Sequence, residues 1–179
     1  MATRQRRSLG INFIPEDRQT QGLVMDNSLI ENAMLGRQNK DMYKTRFKSV
    51  NFKNSRKFSN KIIDQYDVRT PNSSTLALAL SGGNQQKFVV GRELEDNPSL
   101  LVASQPTRGI DIGAQSLIWE ELREARDAGL GVLLISADLE ELLGLSDRLL
   151  VMYEGKIVKE LVPEDATPEL LGAYMTGLK

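Results

Sequence analysis

The Ser-Gly-Gly triplet at residues 81–83 has the residue types of an anion site. The hydroxyl of Ser81 and the two backbone N–H groups that follow it would stand at the start of a helix, where a phosphate finds several donors. Apolar residues follow at helical spacing, namely Phe88, Val89 and Leu94. We therefore expect an amphipathic helix whose buried face holds the turn in place. An isolated triplet of this kind is more often only a loop with a helix cap.

Residues 80–87 read LSGGNQQK, and this octet resembles the signature motif of ABC-transporter ATPases. The NQQK ending is similar to that of the tandem-domain ATPases of sugar and nucleoside importers. The resemblance implies four nucleotide-binding residues: Ser81, Gly82, Gly83 and Gln85. In that family two nucleotide-binding domains clamp the nucleotide head to tail, and each signature faces the phosphate loop of the other domain.

Two continuous apolar runs, at residues 100–103 and 132–135, flank a segment of helical periodicity. The apolar positions of that segment are Ala114, Ile118, Leu122 and Ala125. Buried strands joined through a helix are typical of a parallel α/β sheet. Active groups in such sheets lie beyond the carboxyl ends of the strands, which directs attention to residues 104–105 and 136–138.

The segment at residues 100–111, LLVASQPTRGID, resembles the Walker B strand and D-loop of the same family. Four residues match the family pattern: Pro106, Thr107, Gly109 and Asp111. Ser104, however, stands where an Asp should hold Mg²⁺, and Gln105 stands where a Glu should polarise the hydrolytic water. A hydroxyl and an amide supply neither a strong ligand for a hard cation nor a general base. We therefore predict a degenerate site with no catalytic residue intact and no metal ligand.

Two further positions depart from the family pattern. ISADLEE, at residues 135–141, resembles the switch that normally contains a His, but Ala137 occupies that place and the chain has no His. FIPEDR, at residues 13–18, resembles the start of the Q-loop in the sugar-importer branch. Glu16 falls where a Gln normally approaches the metal and the attacking water. Taken by itself, Glu16 could equally be a solvated loop acid.

The composition is that of an ordinary soluble domain, because 179 residues with 40% hydrophobic and 26% charged residues suffice for a core. The absence of Cys excludes disulfides and thiolate metal sites and favours a reducing compartment. No apolar run approaches eighteen residues, and the N-terminus lacks the apolar stretch of a signal peptide. We expect neither a membrane span nor a secretion signal.

Positive charge is concentrated in the first part of the chain, although the net charge is −1. Residues 1–70 contain fourteen Lys/Arg and seven Asp/Glu, whereas residues 71–179 contain nine and seventeen. In residues 37–61 four aromatic residues are interleaved with Lys and Arg: Tyr43, Phe47, Phe52 and Phe58. Single-strand nucleic-acid binders use such a mixture. A helical subdomain that buries the aromatic rings is the commoner cause, so nucleic acid is the less favoured partner.

Local signals predict several further elements. Residues 10–14 are expected to form a strand, and residues 26–70 to be mainly helical, with an N-cap at 26–28. The expected apolar stripe of the second helix is Ile62, Ile63 and Tyr66. We also expect strands at 148–153 and 156–162. A last helix is expected to be capped by Thr167 and to begin at Pro168.

Together these features predict an α/β fold, a partial P-loop NTPase domain of the ABC ATPase type with a helical subdomain inserted into a parallel sheet. The predicted parts are 1–25, the Q-loop strand and loop; 26–95, the helical subdomain with the signature; 96–162, the Walker B, D-loop and switch part of the core with a β-meander; and 163–179, a C-terminal helix. No G-x-x-x-x-G-K-[ST] phosphate loop occurs, so the Walker A portion is absent from the sequence. We expect a truncated chain or one piece of a longer polypeptide.

The function that the resemblance implies is a part of the ATP-binding subunit of an ABC importer for sugars or nucleosides. It implies ATP and Mg²⁺ in the full assembly, and as partners a second nucleotide-binding domain and membrane-spanning permease subunits. The expected location is the cytoplasmic face of the cell membrane. The chain alone is predicted to be inactive and to self-associate. The alternative from another class is a non-catalytic interaction module that retains the fold for docking.

Overall fold

The computed structural model describes residues 2–38, 40–44 and 50–178, apart from the Met42 side chain. The chain divides into two compact units, Met1–Leu133 and Leu134–Lys179, and each is described by itself.

A three-stranded sheet organises the first unit. Its strands are β1 (Ile11–Ile14), β2 (Leu100–Ser104) and β3 (Gly131–Ile135), in that spatial order. Strands β1 and β2 run parallel, with Ile11 opposite Leu100. Strand β3 continues past the boundary of the unit at Leu133. The three predicted strands and the parallel pairing of β1 with β2 are confirmed.

The helices of this unit are α1 (Thr3–Ser8), α2 (Leu29–Ala33), α3 (Phe52–Gln65), α4 (Gly82–Leu94) and α5 (Ile112–Asp127). A π-helical turn at Arg18–Gly22 and 3₁₀ turns at Asp41–Tyr43 and Ala77–Ala79 connect them. Ser28 caps α2 as predicted, since its side chain accepts from the Glu31 N–H and the Glu31 carboxylate accepts from the Ser28 N–H. The sequence patterns had not indicated α1, because this helix buries no side chain.

Helix α4, which follows the signature turn, is buried on all sides along most of its length. Phe88, Val89 and Val90 have no exposed surface. Polar side chains of the same helix are buried as well: Gln85, Gln86, Lys87, Arg92 and Glu93. The prediction of an amphipathic helix with one solvated face is therefore wrong. Leu94 is only half-buried, since it lies at the end of the helix.

Buried charges join α4 to the N-terminal segment. The Glu93 carboxylate has no exposed surface and is paired with Arg7 at 2.8 Å, Arg37 at 3.2 Å and Arg92 at 3.0 Å. Asn12 of β1 donates to the Glu93 carbonyl at 2.7 Å. Burial raises the pKa of Glu93, but the three guanidinium groups more than offset it and hold the pKa at about 2. The carboxylate therefore stays ionised in the folded core.

The basic and aromatic segment at residues 37–61 is partly packed into the fold. The Tyr43 side chain is buried and its ring meets that of Phe58 edge-on, with 6.2 Å between centroids. The guanidinium of Arg37 lies over the Phe58 ring. Phe52 is exposed, and Phe47 lies outside the described residues. Two of the four rings thus pack as the helical alternative predicts, and nucleic-acid binding by this segment stays a prediction.

The second unit consists of α6 (Leu139–Leu145), an antiparallel pair β4 (Leu149–Tyr153) and β5 (Lys156–Leu161), a 3₁₀ turn at Pro163–Asp165 and α7 (Pro168–Met175). Both strands were predicted, at 148–153 and 156–162, and each observed strand is one residue shorter than its prediction. Thr167 caps α7 as predicted, since its hydroxyl accepts from the Leu170 N–H at 3.2 Å.

Candidate functional site

The signature turn, Ser81 to Gly83, forms the N-terminus of α4. Ser81 is the N-cap residue, exposed, with extended backbone at φ −63° and ψ 157°. Its Oγ accepts from the Asn84 N–H at 3.4 Å and from Asn84 Nδ2 at 2.9 Å. Within the described part of the chain, the N–H groups of Gly82 and Gly83 have no acceptor. Two free amide donors at the positive end of a thirteen-residue helix make this turn suitable for an anion.

Close neighbours explain why glycine occupies both positions. A Cβ at Gly82 would lie 2.6 Å from Nη2 of Arg18, and a Cβ at Gly83 would lie 3.0 Å from Oδ2 of Asp111. The signature turn therefore packs directly against the Q-loop and the D-loop. The two glycines therefore not only expose their N–H groups, as predicted from the sequence, but also permit this packing.

The four residues after the signature turn connect it to separate parts of the unit. Gln85 Nε2 donates to the carbonyls of Ala77 and Leu80 at 3.1 and 3.2 Å. Gln86 Nε2 donates to the Pro106 carbonyl at 2.6 Å. Since the Gln85 amide is buried and supports the preceding turn, a contact of this side chain with nucleotide remains a prediction.

Lys87 completes this set of anchors. Its Nζ lies 3.0 Å from the Asp67 carbonyl oxygen and 3.1 Å from the Asp67 carboxylate, just beyond the end of α3. The hydrogen bond and the charge of Lys87 lower the pKa of the Asp67 carboxyl. The NQQK residues therefore fix the position of the signature turn from several sides.

The Q-loop starts where β1 ends. Asp17 caps the π-helical turn by accepting from the Gln19 and Thr20 N–H groups at 2.9 and 3.2 Å, and hydrogen bonds from Thr20 lower its pKa. Arg18 donates to the carbonyls of Arg108 and Gly109 at 2.9 and 3.2 Å. Arg18 thus links the Q-loop, the D-loop and the signature turn. The sequence gives no indication of this role for Arg18 beyond its position directly after two acidic residues, Glu16 and Asp17.

A cleft of about 680 Å³ opens between the Q-loop and the carboxyl end of β2. Its lining includes Phe13, Glu16, Arg18, Ser104 and Arg108. Glu16 and Arg108 form an ion pair there, with both side chains more than half exposed. The structure therefore brings the predicted Q-loop and Walker B positions, Glu16 and Ser104, together in one cleft.

Gln105 directly follows β2 and has a positive φ of 50°. This left-handed conformation is uncommon for a side-chain-bearing residue and marks a tight turn at the strand end. The Arg108 N–H donates to the Gln105 carbonyl at 3.1 Å and closes the turn. The neutral amide of Gln105 has no basic group with which to activate water.

Asp111 lies at the opposite end of the D-loop and caps α5. Its Oδ1 accepts from the Ala114 N–H at 3.0 Å, and this hydrogen bond lowers the pKa of the carboxyl. The Asp111 carboxylate is thus held beside Gly83, so the D-loop and signature positions predicted from the sequence lie together.

The predicted switch position lies in the second unit. Asp138 caps α6 by accepting from the Glu140 and Glu141 N–H groups, and its own N–H donates to Ser136 Oγ at 3.0 Å. Ala137 between them is exposed and its methyl group cannot transfer a proton. Among the described residues no cluster of three or more His, Cys, Asp or Glu side chains could hold a metal ion.

Comparison with curated proteins identifies close relatives of this sequence. The chain is 46% identical over 171 residues to the guanosine import ATP-binding protein NupO of Bacillus subtilis, covering 94% of the chain and 33% of that protein. It is 44% identical over 173 residues to the glucose import ATP-binding protein TsgD13 of Haloferax volcanii, covering 94% and 31%. Over nearly its whole length the chain is therefore similar to ATP-binding proteins of sugar and nucleoside importers. It spans about a third of the length of these relatives.

The fold agrees with this similarity. A dimeric ATP-binding cassette in a post-hydrolysis state with ADP and Pi superimposes with a TM-score of 0.70 at 22% identity, covering 90% of this chain and 66% of that one. An inward-facing metal-chelate type ABC transporter gives a TM-score of 0.73 at 15% identity, covering 94% and 64%. The fold is therefore that of an ABC ATPase cassette, in part. No protein-family model matches the chain. In the described ranges no helix has the length and hydropathy needed to cross a bilayer.

Proposed function

We propose that this chain is part of the ATP-binding subunit of an ABC importer for sugars or nucleosides, and that it supplies its signature turn to an ATP site completed by a partner cassette. The observation that supports the proposal is the contrast between two places in the first unit. The signature turn presents the Ser81 hydroxyl and free amides of Gly82 and Gly83 to solvent. The cleft at Ser104 instead has a neutral hydroxyl at the end of β2, and its two carboxylates, Glu16 and Asp17, already have partners.

The chain's own cleft does not suit Mg²⁺. A hard divalent cation prefers anionic oxygen, and the group at the expected ligand position is the Ser104 hydroxyl. The two carboxylates in the lining have other partners, since Glu16 is paired with Arg108 and Asp17 caps the π-helical turn. We propose that this cleft is the silent site of the assembly.

At the working site this chain would stabilise charge on the γ-phosphate of ATP that the partner holds. The Ser81 O–H and the free N–H groups would donate to phosphate oxygens, and the dipole of α4 would favour the negative charge. Arg18 and Asp111 would hold the turn from behind through their contacts at the two glycines. The phosphate loop, Mg²⁺ ligands and general base would come from the partner.

We further propose the assembly that this role requires: a second nucleotide-binding domain and permease subunits, with the chain on the cytoplasmic face of the membrane. Residues 26–95 would form the helical subdomain, between the Q-loop part at 1–25 and the core part at 96–162, with 163–179 as the terminal helix. The transported substrate would be a sugar or nucleoside, as the names of NupO and TsgD13 indicate for those proteins.

The test is expression of the complete polypeptide that contains this chain, together with its membrane partners, followed by measurement of ATP binding and turnover. We expect both in the assembly and neither magnesium-dependent turnover nor tight nucleotide binding in the 179-residue chain alone. An assembly that binds no nucleotide would favour the non-catalytic interaction module. Turnover that co-purifies with the chain alone would contradict the degenerate site.

A further inference from the structure

The Asn84 side chain lies between the Ser81 hydroxyl and the backbone of Arg69. Asn84 Oδ1 is 2.8 Å from the Arg69 N–H, and Asn84 Nδ2 is 2.9 Å from Ser81 Oγ. A backbone N–H can only donate, so the oxygen end of the Asn84 amide must face Arg69. The nitrogen end consequently faces Ser81 and donates to it.

The hydrogen-bonding capacity of Ser81 is thereby restricted. A hydroxyl has one proton to donate and two lone pairs that accept. The Ser81 oxygen already accepts twice from Asn84, from its backbone N–H at 3.4 Å and from Nδ2 at 2.9 Å. In the part of the chain that the structure describes, the Ser81 proton has no acceptor.

Lys87 fixes the segment that orients Asn84. Its Nζ, which is almost fully buried, holds the carbonyl and carboxylate of Asp67, two residues before Arg69. Asp67 has a positive φ of 46°, so the chain turns sharply there. The Arg69 N–H is therefore presented to Asn84 by a turn that is anchored on the same helix as Asn84.

We propose that Asn84 is a positioning residue that makes the Ser81 hydroxyl an obligatory hydrogen-bond donor. The hydroxyl then binds an oxygen that accepts a hydrogen bond, such as a phosphate oxygen. This inference rests on the proposed function, because the acceptor is the γ-phosphate held by the partner cassette. Asn84 does not touch the phosphate in this account, and it acts only through Ser81.

The test is a double-mutant cycle on ATP turnover by the complete assembly, with Ser81→Ala, Asn84→Ala and the double variant. We expect each single change to lower kcat severalfold, and Asn84→Ala to have no further effect in the Ser81→Ala background. Asn84→Asp should lower kcat by about tenfold or more, because the new carboxylate still accepts from Arg69 but now takes the Ser81 proton. Asn72→Asp is the matched control, since Asn72 Oδ1 accepts from the Ser74 N–H in a neighbouring loop.

Two outcomes separate the possible failures. Suppose that Ser81→Ala lowers kcat and that Asn84→Ala lowers it by the same factor in wild type and in the Ser81→Ala variant. Asn84 then acts independently of Ser81, and the positioning role is overturned. If Ser81→Ala leaves turnover unchanged, the proposed function of the signature turn itself is overturned. The melting temperatures of all variants should match that of the Asn72→Asp control. If the melting temperature falls for Asn84→Ala alone, and the effects of the two substitutions on kcat are additive, Asn84 has a role in folding only and the proposal is overturned.

Discussion

Glu16 of the Q-loop is paired with Arg108 of the D-loop across the mouth of the cleft. Both side chains are more than half exposed, whereas Glu93 is fully buried with three arginines. Exposed ion pairs contribute at most about 1 kcal/mol, but removal of one partner from a buried network costs about 3–5 kcal/mol. The carboxylates of Glu16 and Glu93 should therefore differ sharply in how much they stabilise the fold.

We expect Glu93→Gln to destabilise the protein by about 3–5 kcal/mol and the matched Glu16→Gln change by about 1 kcal/mol or less, as measured by urea unfolding at pH 7. The pKa of Glu93 is lowered in the fold, so its contribution is present above its ordinary pKa near 4.5 and disappears as the pH falls towards 2. Wild type should accordingly lose more stability than Glu93→Gln over that acid range. Equal losses in the two proteins would contradict the assignment.

The contribution of Glu121, on α5, to the free energy of unfolding should change with pH in the direction opposite to that of Glu93. Burial, together with the neighbouring carboxylates of Glu124, Glu95 and Glu120, raises the pKa of Glu121 to about 7. Because the folded state then binds the proton more tightly than the unfolded state, stability should fall as the pH rises from about 4.5 to 7. We expect Glu121→Gln to raise the unfolding free energy at pH 8 and to change it little at pH 4.5. If Glu121→Gln stabilised the protein equally at both pH values, ionisation of Glu121 would be excluded as the cause.

Gly91 on α4 lies against the ring of Tyr66 at the end of α3. A Cβ at Gly91 would come within 2.6 Å of the ring, so Gly91→Ala should force the two helices apart at a cost of about 1–3 kcal/mol. Gly172→Ala in α7 is the control, since nothing lies within 4 Å of a Cβ there. The control should stabilise by up to about 1 kcal/mol because alanine favours a helix. Thermal unfolding of both variants checks the signs, and a neutral Gly91→Ala would show that α3 and α4 are not held this closely.

Self-association of the 179-residue chain is expected because one face of the sheet has exposed apolar side chains. In the first unit Phe13 is 44% exposed and Leu133 is 49% exposed. Exposed apolar strands promote association between chains. Sedimentation at high micromolar concentration should show dimers or larger species. A monomer under those conditions would be evidence against this expectation.

The sequence predicted the strands and the caps of α2 and α7, because these follow from local periodicity and from local capping signals. It did not predict the full burial of α4. The apolar positions Phe88, Val89 and Leu94 indicated one buried face. Burial of Glu93 is tolerable because Arg7 and Arg37 join the adjacent Arg92 in pairing with its carboxylate. Arg7 and Arg37 are distant in the chain, so local patterns contain no sign of them. The contacts of Arg18 with the D-loop were missed for the same reason.

The central proposal is that the assembly has one working and one silent nucleotide site. Its most direct test is to measure substrate uptake through the complete importer with two variants of this chain. Ser81→Arg should abolish ATP-driven uptake, because its bulk would meet the phosphate that the partner cassette holds. Gln105→Ala should leave uptake close to that of wild type, because Gln105 has no basic group and belongs to the silent site. If Gln105→Ala proved as damaging as Ser81→Arg, or if Ser81→Arg were tolerated, the proposed division would be wrong.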